Sequence, residues 1–297
     1  MGPNGSYAWP VQPDAGDLIR SVAARWPQAD VGGAVVRRGM SHDVVVVPGF
    51  AAVRFARTVQ AEVELRRSAT LLTVLADARL PLAVPRPVGA IEALDGRTAL
   101  ATTFVAGKPR PVPEPGLTDP AVLRDALDAI AAVPLDGISH AIGPPRAPAG
   151  GTEWADEARR HLLPRLNPPA ARLVTRSIDE ASALAAPATP VLVHGDLAGT
   201  NLLWQADRLV GVLDWDLAFA GDRAYDIACL ADGFGWTVLE TLFDSATIDR
   251  ARIYRDVFLV ESYLAHHRRE ATGAADQILE MLHRQTRHGT TAPPTPG

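Results

Sequence analysis

Apolar and polar positions along this chain follow two rhythms, one of period near 3.6 and one of period 2. Between Asp14 and Trp26, DAGDLIRSVAARW places apolar residues at helical spacing behind an Asp able to cap the first turn, so a short helix is expected. From Val31 to Thr58 the rhythm changes. VGGAVVRRGMSHDVVVVPGFAAVRFART carries three β-rich runs separated by Arg38-Gly39-Met40-Ser41 and by Pro48-Gly49, which predicts an antiparallel meander. VELRRSATLLTVLADARL, Val63 to Leu80, returns to helical spacing, and Pro81, Pro85 and Pro87 then stop the helix and force an extended connection. AIEALDGRTALATTF reads as two strands around a turn at Asp95-Gly96.

The stretch VAGKPRPVPEPGLTDP, Val105 to Pro120, is dense in Pro and Gly and has no apolar period, as a linker would. Beyond it the pattern is mainly helical, as in DPAVLRDALDAIAAV and TEWADEARRHLLPRL, with a β-rich island at Thr189 to Leu217. The expected organisation is an N-terminal lobe over 1–104, a hinge and linker over 105–120, a helical lobe over 121–284 and a disordered tail over 285–297. Strands first and helices afterwards predict an α+β protein of two lobes, the smaller β-rich and the larger mainly helical.

Composition narrows the function. The chain has 297 residues, 47% hydrophobic and 21% charged, enough to bury a sizeable core. A net charge of -5 without a long basic run argues against nucleic acid or a membrane surface as partner, and leaves open a cationic small molecule. Cys229 is the only cysteine, so no intrachain disulfide can form, and in YDIACLAD it reads as a small buried apolar side chain. No signal peptide or membrane-spanning run is visible, so a cytoplasmic location is expected.

The chemistry concentrates in VLVHGDLAGTNLLWQADRLVGVLDWD, Val191 to Asp216, where polar groups stand at the ends of short apolar runs. Asp196 is six positions into the first run, Asn201 follows five later, and Asp214 thirteen beyond that. Two carboxylates and an amide oxygen at the ends of strands can surround one hard cation such as Mg²⁺, and a carboxylate can orient an attacking hydroxyl and accept its proton. The local alternative is an Asx-type turn at Asp196 and Asn201 and a cap at Asp214.

The blocks HGDLAGTN (His194 to Asn201) and GVLDWDLAFAGDRAYDIA (Gly211 to Ala228) resemble the catalytic loop and metal-binding segment of the aminoglycoside phosphotransferase family, relatives of the eukaryotic protein kinases. The resemblance extends from Val31 to about Leu264 and implies a protein-kinase-like fold. It makes Asp196 the catalytic carboxylate, Asn201 and Asp214 the holders of Mg²⁺, and His194 and Asp226 the braces of the loop. Asp216 and Asp222 either face the acceptor or cap turns. RRGMSHD is similar to the short phosphate-covering turn of small-molecule kinases, implying nucleotide contacts from Gly39, Ser41 and His42; the same Gly also suits an ordinary hairpin. Thr103, Phe104 and Val105 would meet the base at the hinge. AAVRFAR supplies Arg54 where kinases carry a phosphate-contacting Lys, and its helical partner position holds Ser68, with Glu64 one turn earlier.

Short matches, FART and an EW followed by LLPRL, are similar to the branch of the family that phosphorylates tuberactinomycin peptides, viomycin and capreomycin. The implied activity is a Mg²⁺-dependent transfer of the γ-phosphoryl group of ATP or GTP to an alcohol group of an antibiotic: a tuberactinomycin, an aminoglycoside or a macrolide. Two alternatives stand beside it, a metabolite kinase of the same fold and a degenerate kinase-fold binding module.

Overall fold

Alternation along three strands decides which side chains meet on each face of the first sheet. The computed structural model describes residues 14–39, 41–110, 117, 119–145 and 153–287. Met40 of the Gly39 turn, 111–116 and 118 of the expected linker, and 288–297 of the expected tail lie outside them. Strands β1 (Val35–Arg38), β2 (His42–Val47), β3 (Ala51–Ala56), β4 (Glu92–Leu94) and β5 (Arg97–Thr103) form an antiparallel sheet in the order β1-β2-β3-β5-β4. The register pairs Val45 with Val53, Asp43 with Phe55, and Phe55 with Ala99. Directly paired residues share a face. Val45, Val53, Phe55 and Ala99 therefore lie together, and Leu18 and Val22 of helix α1 (Ala15–Arg25) close over them. Val44, paired with Arg54, belongs to the other face, as does His42 two residues before it.

A charged pair is built into the α1-side face. Arg97 lies on the same face as Ala99 and donates through Nη2 to Asp43 Oδ2 at 3.0 Å and to the Ala56 carbonyl at 3.0 Å, with only 6% and 1% of Arg97 and Asp43 exposed. Such burial is tolerated because charge answers charge, with Arg38 Nη1 a further 3.6 Å from Asp43 Oδ1. The β4–β5 hairpin turns through Asp95 (φ 51°) and Gly96 (φ 71°), two successive left-handed residues, as a tight hairpin of primed type requires.

Helix α2 (Val59–Asp77) begins four residues before the periodic run read from Val63, because Thr58 accepts the Ala61 amide as an N-cap. Val59 and Val63 are exposed, so the first turn has no apolar face to announce it. After α2 the proline-bearing connection runs against a second sheet of β6 (Lys108–Pro109), β8 (Leu202–Gln205) and β9 (Arg208–Val212). Ala83 bridges β9, donating to the Val210 carbonyl at 2.8 Å and accepting the Val212 amide at 2.9 Å. Gly211 is needed there: a Cβ would stand 2.6 Å from Val105 Cγ1.

These contacts explain a discontinuous organisation. One compact unit comprises the chain up to Ile142, including α3 (Ala121–Ala131), together with Asp196–Asp216; the other comprises Gly143–Gly195 and Leu217–Gly297. In the second unit β7 (Val191–Val193) pairs antiparallel with β10 (Phe219–Gly221), a strand too short for its pattern to reveal. Helices α4 (Trp154–His161), α5 (Pro168–Ala183), α8 (Ser245–Arg268) and α9 (Thr272–Arg287) bury Trp154, Val174, Ile178, Val257, Val260, Tyr263, Leu264 and Ile278 in one core. Helices α6 (Ala224–Phe234) and α7 (Trp236–Leu242) complete the unit. Residues 285–287 of the expected tail continue α9. Cys229 on α6 is half-buried rather than buried. Among the described residues no helix is long and apolar enough to cross a membrane.

Candidate active site

The loop between β7 and β8 is folded by its own polar groups. The Ala198 amide donates to the Asp196 carbonyl at 2.7 Å and the Asn201 amide to the Ala198 carbonyl at 2.9 Å, closing a short 3₁₀ turn over Gly199–Asn201. Asn201 Nδ2 then reaches back to both the Asp196 carbonyl, at 2.8 Å, and Asp196 Oδ2, at 3.0 Å. The amide end of Asn201 is thus spent on Asp196, which leaves Oδ1, an acceptor, for other work. Burial first, and then the Asp214 charge, push the Asp196 carboxyl up to about 6 against the opposing hydrogen bond from Asn201.

Asp214 follows β9 in a left-handed conformation, φ 60°, that Asp tolerates better than most residues but that its surroundings must hold. Its carboxylate accepts the Asp216 amide at the start of a 3₁₀ turn, Trp215–Leu217. Protein mass around the group and then the Asp216 charge push Asp214 up to about 6, although the residue is open to solvent. That openness lets water and ions screen the charge. Asp196 and Asp214 repel each other, and with the Asn201 amide they supply only hard oxygen donors. That donor set fits a divalent cation of the Mg²⁺ type, which needs charge from carboxylates and tolerates an amide oxygen. Among the described residues no three His, Cys, Asp or Glu side chains cluster as a metal site.

Asp216, two residues on, is pulled the other way. Burial would raise its carboxyl, but the charge and hydrogen bonds of Arg54 outweigh it and bring Asp216 down to about 2. Arg54 Nη1 donates to Asp216 Oδ1 at 2.9 Å and Nη2 donates to Oδ2, a fork-to-fork pair. Ser68 Oγ accepts from Nη1 at 3.2 Å, and His42 Nδ1 lies 3.1 Å from Nη2. His42 Nε2 is 3.2 Å from the Ala61 carbonyl, so that nitrogen carries the ring proton and Nδ1 is the acceptor for Arg54. Burial, reinforced by Arg54, lowers His42 to about 4, which keeps the ring neutral as this arrangement demands. From α2, Arg67 Nη2 donates to the Asp216 carbonyl at 2.9 Å. Nothing in the local sequence marks Arg67 beyond its place beside Ser68 on one helix.

Other candidate residues are placed as follows. Gly39 donates to the His42 carbonyl at 2.8 Å, and its own carbonyl accepts from Arg57 Nη1 at 2.6 Å. The Ser41 carbonyl accepts the Arg57 amide at 3.0 Å, so Arg57 ties down the turn. At the end of β5, the Thr103 amide donates to the Arg86 carbonyl at 2.8 Å, and Thr103, Phe104 and Val105 line a cavity of about 420 Å³ with Leu75 and Leu82.

In the second unit His194 is fully buried. Asp226, in the first turn of α6, accepts the His194 amide at 2.7 Å and the Gly195 amide at 2.9 Å, holding the two peptide units that lead into Asp196. Gly195 has φ 81°, and a Cβ there would overlap the Leu217 carbonyl. Asp222 accepts the Ala224 amide at 3.0 Å and Arg250 Nε at 2.7 Å, a cap and an ion pair within its own unit.

A carboxylate held by an amide, with a second carboxylate beside it, is an arrangement that phosphoryl transfer can use. The fold agrees. The chain superposes on the GDP complex of aminoglycoside 2'-phosphotransferase-IIIa with a TM-score of 0.74 at 18% identity, covering 94% of this chain and 100% of that one. It superposes on macrolide 2'-phosphotransferase type I with a TM-score of 0.66 at 21% identity, covering 93% and 97%. Viomycin phosphotransferase of Streptomyces vinaceus is 30% identical over 258 residues, 80% of this chain and 88% of that protein. Residues 33–286 match the phosphotransferase enzyme family, and the protein belongs to that family.

Proposed function

We propose that the protein transfers the γ-phosphoryl group of a nucleoside triphosphate, ATP or GTP, to a hydroxyl of an antibiotic in a Mg²⁺-dependent reaction in the cytoplasm. The observation that carries the reading is Asp196: a carboxylate with one oxygen fixed by Asn201 and a pKa raised to about 6, suited to taking a proton near neutrality. The acceptor oxygen attacks the γ-phosphorus, the bond to the β–γ bridging oxygen breaks, and the nucleoside diphosphate leaves. Asp196 orients the hydroxyl and receives its proton. Asn201 Oδ1 and Asp214 would hold Mg²⁺, which when bound neutralises charge on the phosphate oxygens. Gly39 and Ser41 would meet the phosphates, and Thr103, Phe104 and Val105 would meet the base.

The acceptor class rests on the relatives. The 30% identity with viomycin phosphotransferase supports a basic tuberactinomycin peptide, and a net charge of -5 suits a cationic acceptor. A phosphate adds nearly two negative charges to the drug, which spoils its fit to an anionic target and gives resistance. The test is mass spectrometry of viomycin, capreomycin, an aminoglycoside and a macrolide after incubation with the protein, Mg²⁺ and ATP or GTP. One drug gaining a single phosphoryl group is expected. If no member of the panel were modified while the folded protein bound nucleotide, the antibiotic reading would be wrong.

A further inference from the structure

Arg54 is fully engaged. Each guanidinium Nη has two hydrogens, and the four meet Asp216 Oδ1, Asp216 Oδ2, Ser68 Oγ and His42 Nδ1. No Nη hydrogen is left to grip a phosphate with two parallel bonds. Helix α2 offers this cation a neutral hydroxyl at Ser68, and the carboxylate that answers it comes from 162 positions along the chain. That carboxylate lies two residues past Asp214. Its residue is gripped at three points: the side chain by Arg54, the carbonyl by Arg67, and the amide by the Asp214 carboxylate itself. Asp214 meanwhile sits at φ 60°, a conformation its neighbours must enforce.

We propose that Asp216 is a positioning residue for the metal-holding Asp214. Its paired Arg54 acts through Asp216, rather than on nucleotide phosphate, to fix where the Asp214 carboxylate points. The sheet and α2 thereby act on the Asp214 carboxylate through strand β3, Arg54 and Arg67. The inference rests on the phosphotransferase reading for its chemistry, but its test does not need turnover.

The measurement is Mn²⁺ affinity by electron paramagnetic resonance in the presence of a non-hydrolysable nucleotide, for the wild type, Asp216→Asn, Arg54→Lys and the double variant. Groups that orient metal ligands typically account for about 10–100-fold in metal affinity, and a loss in that range is expected for Asp216→Asn at unchanged acceptor KM. Arg54→Lys keeps the charge but loses the fork, and is expected to weaken Mn²⁺ in the same direction. The double variant should be no weaker than Asp216→Asn, because both break one link. Asp216→Glu, which restores the charge, should recover part of the affinity.

Wild-type Mn²⁺ affinity in a folded Asp216→Asn variant would overturn the proposal, as would a wild type that binds no Mn²⁺ at all. So would an Arg54→Lys effect confined to nucleotide KM, since that would put Arg54 on the phosphates. If the wild type transferred no phosphoryl group yet its Mn²⁺ affinity still depended on Asp216, the proposed function would fall and this inference would stand.

Discussion

The two faces of the first sheet each carry a buried arginine–aspartate pair, and the pairs differ in what lies beyond them. On the α1 face, Arg97 and Asp43 are almost wholly buried, and Arg97 also meets the Ala56 and Phe55 carbonyls and, 5.6 Å away, the Phe55 ring. Nothing catalytic touches this pair. It joins β2 to β5 across β3 and closes the end of the strand core. On the other face, Arg54 and Asp216 keep 14% and 18% of their side chains exposed, and the pair ends two residues past Asp214, at the residue whose amide meets the Asp214 carboxylate. Strand alternation decides which arginine faces which side of the sheet.

The sharpest break of this comparison is Asp43→Asn. It leaves the Arg97 charge buried without its partner, and a loss of about 3–5 kcal/mol is expected in chemical denaturation. The rate of transfer per folded molecule should not change; a fall in Mn²⁺ affinity like that of Asp216→Asn would erase the distinction between the faces. Gly195→Ala strains the approach to Asp196 through its positive φ and the overlap with Leu217. It should cost about 2–4 kcal/mol, read as a lower melting temperature, with transfer reduced even where the protein is folded.

His42 gives the site face a pH signature. Its folded pKa, about 4, lies below the unfolded 6.5, so the neutral ring contributes stability that is complete above pH 6.5 and is lost as pH falls toward 4. That displacement corresponds to roughly 3 kcal/mol. His42→Gln cannot titrate, and urea denaturation at pH 7 and pH 4.5 should show a correspondingly smaller difference; an unchanged difference would mean that His42 is not the group responsible. The smallest effect is expected where a third pair lies at the surface. Arg110 donates to Asp207 at 2.7 Å, but Asp207 is 63% exposed, and Asp207→Ala should change stability by no more than about 1 kcal/mol.

Much of this was legible in the sequence where one local rule acts alone. α1 and the β1–β5 meander follow from clean periodicity and from turn residues such as Asp95-Gly96. The order Asp196, Asn201, Asp214 follows from polar residues placed at the ends of strands. What was not legible depends on distance along the chain or on exposure. The first turn of α2 hides because Val59 and Val63 face solvent, and β10 because three residues carry no period. The strand position of Arg54 suggests a phosphate contact, and nothing near it in the sequence announces a carboxylate partner. Its partnership with Asp216 is set by strand register, by the turn after β9 and by the Ser at position 68, none of which is visible within a short window.

The central claim is that Asp196 is the group that activates the acceptor hydroxyl. Single-turnover transfer measured with saturating Mg²⁺, nucleotide and acceptor tests it most directly. Asp196→Ala is predicted to slow the chemical step by about 10²–10⁴-fold with nucleotide affinity intact. A variant that folds, binds nucleotide and transfers at the wild-type rate would contradict the account.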